Sequence, residues 1–412
     1  MRKTELLIPA GSLEVLKVAV NYGANAVYIG GEAFGLRAKA HNFTIDEMKE
    51  AVQYCHAHNV KLYVTANIFA HNDDLDGVRS YFEQLIPVGI DALIISDPAI
   101  FMLAKEILPD VDIHISTQAN NTNYGIYRFW YQQGAVRVVS ARELSLEEIK
   151  QIREYIPDDM EIARFVHCAM CISYSGWCLL SHFLTGRDAN QGACTHPCRW
   201  KYSVVEEKRP GEYFPVEEDD RGTYIFNSKD LCMVDHIPDL MDAGIDSFKV
   251  EGRMKTALYV ATVARTYRKA IDDYKKDPNL YEANLPYYRE EIGKCTYRQF
   301  TTGFYYGKTT SDSQVYDSNE YVKDYIYIGT IEEVDENGFA HFIQRNKFSV
   351  GQEVEAMLFD GSNKYLTVRA IYNEKGESME SAPHPKEKLI VDLGEKLEPG
   401  IILRLRRVET TA

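Results

Sequence analysis

The sequence predicts an α/β protein: a TIM-type (β/α)8 barrel with an inserted cysteine-rich lobe, followed by a small C-terminal all-β, barrel-like domain. Three observations predict it. Short apolar strands alternate with amphipathic helices over roughly the first 255 residues, the pattern of parallel strands with helical crossovers. The interval between the seventh and eighth strands is far longer than the rest and holds most of the cysteines. From about residue 325 the texture changes to period-two alternation broken by turn residues.

The expected strands are "ELLI" (5–8), "AVYIG" (26–30), "KLYVT" (61–65), "ALIIS" (92–96), "DIHIS" (112–116), "VRVVS" (136–140), "EIARFV" (161–166) and "SFKV" (247–250). Each is short and apolar, as strands covered on both faces should be. Gly23, Gly89, Gly134 and Gly244 each close a helical pattern just before a strand, where a left-handed cap is wanted. Thr44 with Glu47, and Ser145 with Glu148, read as capping boxes that open helices. The resulting boundaries are 1–275 for the barrel, with the insertion at about 168–235, then 276–324 for a helical and linker segment, and 325–412 for the β domain. An interval as long as the insertion is usually functional.

Composition narrows the classes. Of 412 residues, 45% are hydrophobic, which suits a packed core. No signal peptide and no apolar run of about 18 residues is read, so a cytoplasmic protein with no membrane partner is expected. The net charge of −15 argues against a general nucleic-acid binder at long range. A local basic track, from residues such as Arg199, Lys201, Arg404, Arg406 and Arg407, would be needed to offset it.

A TIM-type barrel places its site at the C-terminal ends of its strands. There the sequence offers Arg37, Asn67, Gln118, Arg142, His167, Glu251 and Arg253. Arg37, Arg142 and Arg253 are candidates for holding an anion, because guanidinium groups bind carboxylate or phosphate through paired hydrogen bonds. Structural ion pairs with Glu32, Glu143 and Glu251 are the plain alternative. Asn67, Gln118, His167 and Glu251 are candidates for orienting groups or proton transfer. No serine elbow, zincin helix, phosphate loop or dinucleotide fingerprint is present.

Six of the eight cysteines lie between 168 and 232, a clustering that points to metal or redox chemistry in a reducing compartment. Cys171, Cys178, Cys194 and Cys198 form a C-x6-C-x15-C-x3-C array. Four such thiols suit either an iron–sulfur cluster or structural zinc, and spacing alone leaves both open. Cys168 and Cys232 are spare or alternative ligands, while Cys55 and Cys295 read as buried thiols. Cys178 and His182 stand at i, i+4 and could in principle form a thiolate–imidazolium nucleophile, though a zinc site with an open position is the better route to hydrolysis.

The stretches "LLIPAGSLEVLKVAVNYGANAVYIGGEAFGLRA", "CISYSGWCLLS", "NQGACTHPCRWKY", "RPGEYFPVEEDDRGTYIFNSKDLC" and "SFKVEGRMKT" closely resemble the collagenase-like peptidase family, and within it the branch of tRNA hydroxylation proteins. The resemblance spans nearly the whole chain. It implies oxygen-independent hydroxylation of the wobble uridine of tRNA to 5-hydroxyuridine, with prephenate as co-substrate and hydroxyl source. It also implies a 4Fe–4S cluster on Cys171, Cys178, Cys194 and Cys198, and a homo-oligomeric or paralogous partner. The older assignment of the family implies a peptidase instead, with zinc as the alternative metal. The chain departs from the family pattern beside the ligands: Ala163, Phe165 and Cys168 stand where "E-x-F-x-x-G" is usual, and Trp177 where arginine is usual. A third reading is a non-catalytic scaffold with the cysteine lobe as a structural knot.

Overall fold

The computed structural model describes residues 4–32, 34–35, 42–171, 173–174, 177–190, 192–200, 203–205, 213–215, 229–308 and 322–407. The chain divides into two compact units. The first comprises Met1–Leu16, Asn25–Met254 and Arg298–Glu320, and the second Lys17–Ala24, Lys255–Tyr297 and Tyr321–Ala412.

In the first unit the strands run β1 (Glu5–Pro9), β2 (Ala26–Gly30), β3 (Lys61–Ala66), β4 (Ala92–Ile95), β5 (Asp112–Ile115), β6 (Arg137–Val139) and β7 (Glu161–Ala169). There follow β8 (Ser203–Val205), β9 (Tyr213–Pro215), β10 (Asp230–Cys232), β11 (Ser247–Val250) and β12 (Phe300–Thr301). Strands β1 to β7 pair in parallel with their sequence neighbours, and β11 pairs in parallel with both β7 and β1. This closes an eight-stranded barrel. The helices α1 (Leu13–Asn21), α2 (Ile45–Ala57), α3 (Leu75–Leu85), α4 (Pro98–Ile107), α5 (Tyr124–Gln133) and α6 (Leu146–Tyr155) alternate with them, and α7 (Leu180–Thr185) and α8 (Ile237–Asp242) come after β7.

Local chemistry explains the element ends. Both capping boxes form, on Thr44 with Glu47 and on Ser145 with Glu148. Gly23, Gly89, Gly134 and Gly244 have φ of +102°, +76°, +95° and +72°, a region open to glycine at no steric cost.

Inside the barrel, Leu7, Ala26, Tyr28, Tyr63, Ala92 and Ile94 form an apolar cluster. The floor is polar and closed. Arg137 pairs with Glu5 and with Glu161, while Tyr63 donates to Glu5 Oε2 at 2.7 Å and Ser247 to Glu5 Oε1 at 2.8 Å. Burial would raise the Glu5 carboxyl, but Arg137 and these donors outweigh it and hold it below the usual carboxylate range.

Strand β7 extends past the expected 166 to Ala169. The reason is β10, which pairs antiparallel with its upper end and sets Leu231 opposite Cys168 and Cys232 opposite His167. Partners supplied some 60 residues downstream give this end of the strand its hydrogen bonds.

The second unit contains α9 (Ala257–Lys276) and α10 (Pro278–Ile292). The polar segment opening on "DPNLYEANLPYY" forms α10, because Asp277 caps it and Pro278 occupies its first turn. The β domain holds β13 (Tyr325–Thr330), β14 (Glu333–Val334), β15 (Ala340–Ile343), β16 (Phe348–Ser349), β17 (Glu353–Met357), β18 (Asn363–Thr367), β19 (Ala370–Asn373), β20 (Ser378–Met379), β21 (Ser381–Ala382), β22 (Lys388–Asp392) and β23 (Ile402–Arg406). They make a four-stranded sheet (β13-β23-β17-β18), a five-stranded sheet (β14-β15-β22-β19-β20) and a β16–β21 pair around one apolar core. Among the described residues no helix is long and apolar enough to cross a membrane.

Candidate functional site

Arg253 stands at the barrel mouth, just after β11, and is buried. Its Nη1 donates to Thr65 Oγ1 of β3 at 3.0 Å. Glycine makes room for it: a Cβ on Gly30 would fall 1.8 Å from Arg253 Nη1, and one on Gly11 would fall 2.1 Å from the Arg253 carbonyl oxygen. These two glycines, at the ends of β1 and β2, let the "EGR" turn fold down onto the strands.

Arg142 follows β6, which β7 alone separates from β11 around the barrel. Its Cζ lies 4.4 Å from the Phe165 ring centroid. Burial opposes its charge, but Cys168, Cys171, Glu251 and Glu143 lie close enough to favour it, and the net result is a raised pKa. The loop that carries it is held from behind. Arg164 stacks on Tyr305 at 4.1 Å and donates to the carbonyls of Leu144 and Arg142. Tyr305 in turn donates to the Phe165 carbonyl at 2.7 Å, and its own carbonyl accepts from Leu146 N.

Glu251 lies between the two arginines in the chain's path around the mouth, its amide bonded to the His167 carbonyl at 2.9 Å. His167 is expected to follow β7; it lies within the strand and is buried, with its ring edge-on to Phe300 at 5.7 Å. Asn67 and Gln118 converge on a different group, Ser116. Asn67 Nδ2 donates to Ser116 Oγ at 3.3 Å, and the Gln118 amide donates to the same oxygen at 3.4 Å. The side-chain oxygens of Gln118, Asn120 and Asn121 are buried with no hydrogen-bond partner among the described residues. Buried acceptors of this kind call for donors from a ligand or water. Arg37 lies outside the described residues.

The mouth therefore gathers Arg142, Glu251 and Arg253, while Asn67 and Gln118 form a second cluster after β3 and β5. Lys249, which was not among the residues expected at the site, joins the first group: its Nζ lies 4.3 Å from the Tyr28 ring centroid and 5.4 Å from that of Phe165. The available signal was a charged residue inside the short buried strand "SFKV". Arg164 carried the same signal, a charged residue inside the buried strand "EIARFV", whereas Tyr305 carried none, since it joins from 140 residues downstream.

The cysteine lobe lies over the second cluster. Trp177 Nε1 donates to the Gln118 carbonyl at 3.3 Å, and its ring meets Phe69 at 5.8 Å. A cavity of about 330 Å³ lies there, lined by Phe69, Trp177, Cys178, Leu179, Asp188 and Asn190 among others. Within the lobe, Thr195 N donates to Ser181 Oγ at 3.0 Å, which ties the segment after Cys178 to the segment after Cys194. Sγ of Cys178 accepts from Leu180 N, and Sγ of Cys194 from His196 N, each at 3.4 Å. His182 is not paired with Cys178 as the i, i+4 spacing suggests: α7 begins only at Leu180, and His182 Nδ1 bonds Asp188 at 2.7 Å.

Cys171, Cys178, Cys194 and Cys198 are not joined in disulfides, and each has some exposure. Their chemistry, and the N–H bonds to two of the sulfurs, fit a thiolate-bound group. Among the described residues no three His, Cys, Asp or Glu side chains close around a single ion position.

Closed barrel, cation-rich mouth and overlying cysteine lobe define a TIM-type barrel protein with its candidate site at the C-terminal ends of the strands. The chain belongs to peptidase family U32: the model of that family matches residues 11–315, and the model of its C-terminal domain matches residues 323–404. It is 39% identical over 404 residues to tRNA hydroxylation protein P1 of Bacillus subtilis (strain 168), covering 98% of this chain and 95% of that one. It is 38% identical over 453 residues to tRNA hydroxylation protein P of Escherichia coli (strain K12), covering 100% and 99%. A protein named collagenase, from Porphyromonas gingivalis (strain ATCC BAA-308 / W83), is 34% identical over 362 residues, covering 85% of each chain.

Proposed function

We propose that the chain is a tRNA-hydroxylating enzyme that converts wobble uridine to 5-hydroxyuridine without oxygen, using prephenate as co-substrate. The likeness over nearly its whole length to proteins named for tRNA hydroxylation supports the reaction class. The observation that carries the co-substrate reading is the cation group at the barrel mouth, where Arg142, Arg253 and Lys249 stand with the carboxylates of Glu251 and Glu143 near them. Such a group suits a small dicarboxylate. Arg253, fixed by Thr65, and Arg142, fixed through its loop by Arg164, would orient it. Gln118 and the asparagines offer acceptors to its hydroxyl or to the uracil N–H.

Cys171, Cys178, Cys194 and Cys198 would hold a 4Fe–4S cluster, with zinc as the alternative. A bound cluster would supply a Lewis-acidic or electron-relaying centre beside the mouth. Peptidase activity is the second reading, favoured by the name of the P. gingivalis relative.

The test is anaerobic incubation of the purified chain with undermodified tRNA, with and without prephenate, followed by nucleoside mass spectrometry. Product that requires both chain and prephenate supports the reading; no product, alongside cleavage of a collagen-like peptide, overturns it. Iron, acid-labile sulfide and zinc are measured on the same sample and on Cys194→Ala. About four irons per chain, lost in the variant, are expected. One zinc without sulfide would remove the cluster from the reading.

Gly30→Ala tests the mouth separately. A Cβ there collides with Arg253 Nη1, so the guanidinium must leave Thr65. A displacement of this size is expected to lower product formation about 100-fold, with iron content unchanged. Unchanged turnover would show that Arg253 has no part in the reaction.

Trp177→Ala tests the contact between the lobe and the cluster of Asn67 and Gln118. Loss of its hydrogen bond to Gln118 and its contact with Phe69 is expected to raise KM for tRNA more than it lowers kcat. A pure kcat effect would place Trp177 with the reacting groups.

A further inference from the structure

Lys249 lies inside the barrel and is 4% exposed. Its Nζ is held between the rings of Tyr28 and Phe165, and Arg142 covers the same Phe165 ring. Arg253 Nη1 lies against Gly30, two residues beyond Tyr28 on β2, a rise of about 6.6 Å. The amine thus shares the Phe165 ring with Arg142, and Arg253 meets β2 two residues beyond Tyr28.

Its surroundings differ in kind from those of Lys294, the other buried lysine among the described residues. Lys294 is surrounded by Glu290, Glu291 and Glu355. Lys249 forms no ion pair among the described residues. Around it stand Arg137 of β6, Arg142, Arg253 and the carboxylate of Glu251, and its charge reaches His114 of β5. Burial first, then the arginine charges, bring the amine down to about 7. A substantial fraction is then the neutral, nucleophilic form at neutral pH.

A nucleophilic amine close to two guanidinium groups suits a carbonyl carbon bonded directly to a carboxylate. We propose that Lys249 forms an imine with the keto carbon of a 2-oxo acid whose carboxylate is held by Arg142 and Arg253. The proposal deepens the hydroxylase reading and rests on its anion-binding mouth. The amine lone pair adds to the carbonyl carbon, a C–N bond forms, and the proton lost by nitrogen passes to oxygen to give a carbinolamine. The C–O bond then breaks as a proton taken up from solvent is delivered to the leaving hydroxyl, water departs, and the nitrogen lone pair forms the C=N bond of a protonated imine. No electrons are gained or lost, and hydrolysis reverses the sequence. Glu251 is the carboxyl group placed to carry the proton.

The test is reductive trapping on the full-length chain with sodium cyanoborohydride and phenylpyruvate, with phenyllactate, which lacks the carbonyl, as control. The expected result is a single covalent adduct that peptide mapping places on Lys249, absent with phenyllactate and absent in Lys249→Arg. The trapped fraction should rise with pH through about 7. No adduct in the wild type, or adducts spread over exposed lysines and undiminished in Lys249→Arg, overturns the proposal. Because the wild-type map locates the adduct directly, the result does not depend on the variant folding. Parallel tRNA assays separate the two readings. An adduct on Lys249 without any tRNA hydroxylation keeps the imine and removes the hydroxylase. Hydroxylation at the wild-type rate in Lys249→Arg removes the imine and leaves the hydroxylase.

Discussion

Lys249→Met is expected to make the chain more stable below about pH 7, and the gain should shrink as pH rises toward the ordinary lysine pKa. The sign follows from where the proton binds. The native amine titrates at about 7, against an ordinary value of 10.5. Between those values the unfolded chain holds a proton that the native chain lacks, so native stability rises with pH across that window. Below it both states are charged and the cost of burying a cation among arginines is felt in full. Each pKa unit corresponds to about 1.4 kcal/mol, so the variant should gain a few kcal/mol at the acid side, seen as a higher Tm. Methionine fits the site, since it is unbranched and can lie between Tyr28 and Phe165. A thermal melt series across neutral pH checks it. A variant destabilised equally at every pH would mean that the lysine stem, and not its charge, governs the site.

Glu291→Gln is expected to cost the second unit about 3–5 kcal/mol, the range for breaking a buried ion group by removing one partner. Glu291 is 1% exposed. It accepts from Arg265 at 2.6 Å, Arg404 at 2.7 Å, Lys294 at 2.8 Å and Asn363 at 2.6 Å. Glu355 is the second carboxylate of the group, paired with Lys294 at 3.3 Å and with Arg404. Once the charge of Glu291 is removed, Arg265, Lys294 and Arg404 would be left with Glu355 as the one buried carboxylate of the group. Burial would raise the Glu291 carboxyl, but Arg404 and Arg265 overcome it and bring it to about 2. Its folded pKa lies below the usual 4.5, so its contribution is complete above that value and is lost as pH falls toward 2. Acid denaturation should therefore show a limb in this window that Glu291→Gln weakens. Urea titrations at neutral and acid pH measure both effects. A cost below about 1 kcal/mol, the range of an exposed pair, would show that the group is solvated.

The same ion group corrects one expectation. In "IILRLRRV", period-two alternation turns Arg404 outward, where it would belong to a basic track for RNA. Instead Ile401 to Arg404 are all buried, and Arg404 is committed to Glu291 and Glu355. Strand alternation distinguishes two faces only when one of them meets water, and here a helix carrying Glu291 supplies the charge that makes a buried arginine tolerable.

Much of the barrel was legible because its determinants are local. Strand length, helix caps and terminal glycines are properties of a few adjacent residues, and the two capping boxes and four left-handed glycines lie where the sequence puts them. The mouth was legible in part for the same reason: once the strand ends are known, Arg142, Glu251 and Arg253 must face the rim. The upper end of β7 was not legible, because its partner comes from β10 after the insertion.

By itself, then, the sequence determined the (β/α)8 order, the family and the side chains available at the strand ends, all of which depend on short-range patterning and motif spacing. Only the tertiary structure decided what those side chains meet. It brought Gly30 under Arg253, aimed Arg142 at Phe165 and turned His182 to Asp188. It also enclosed Lys249 among cations, which lowers the pKa of its amine. The physical reason is that a pKa, a hydrogen bond or a steric allowance depends on neighbours in space, and barrel closure draws those neighbours from strands as far apart in the chain as β2 and β11.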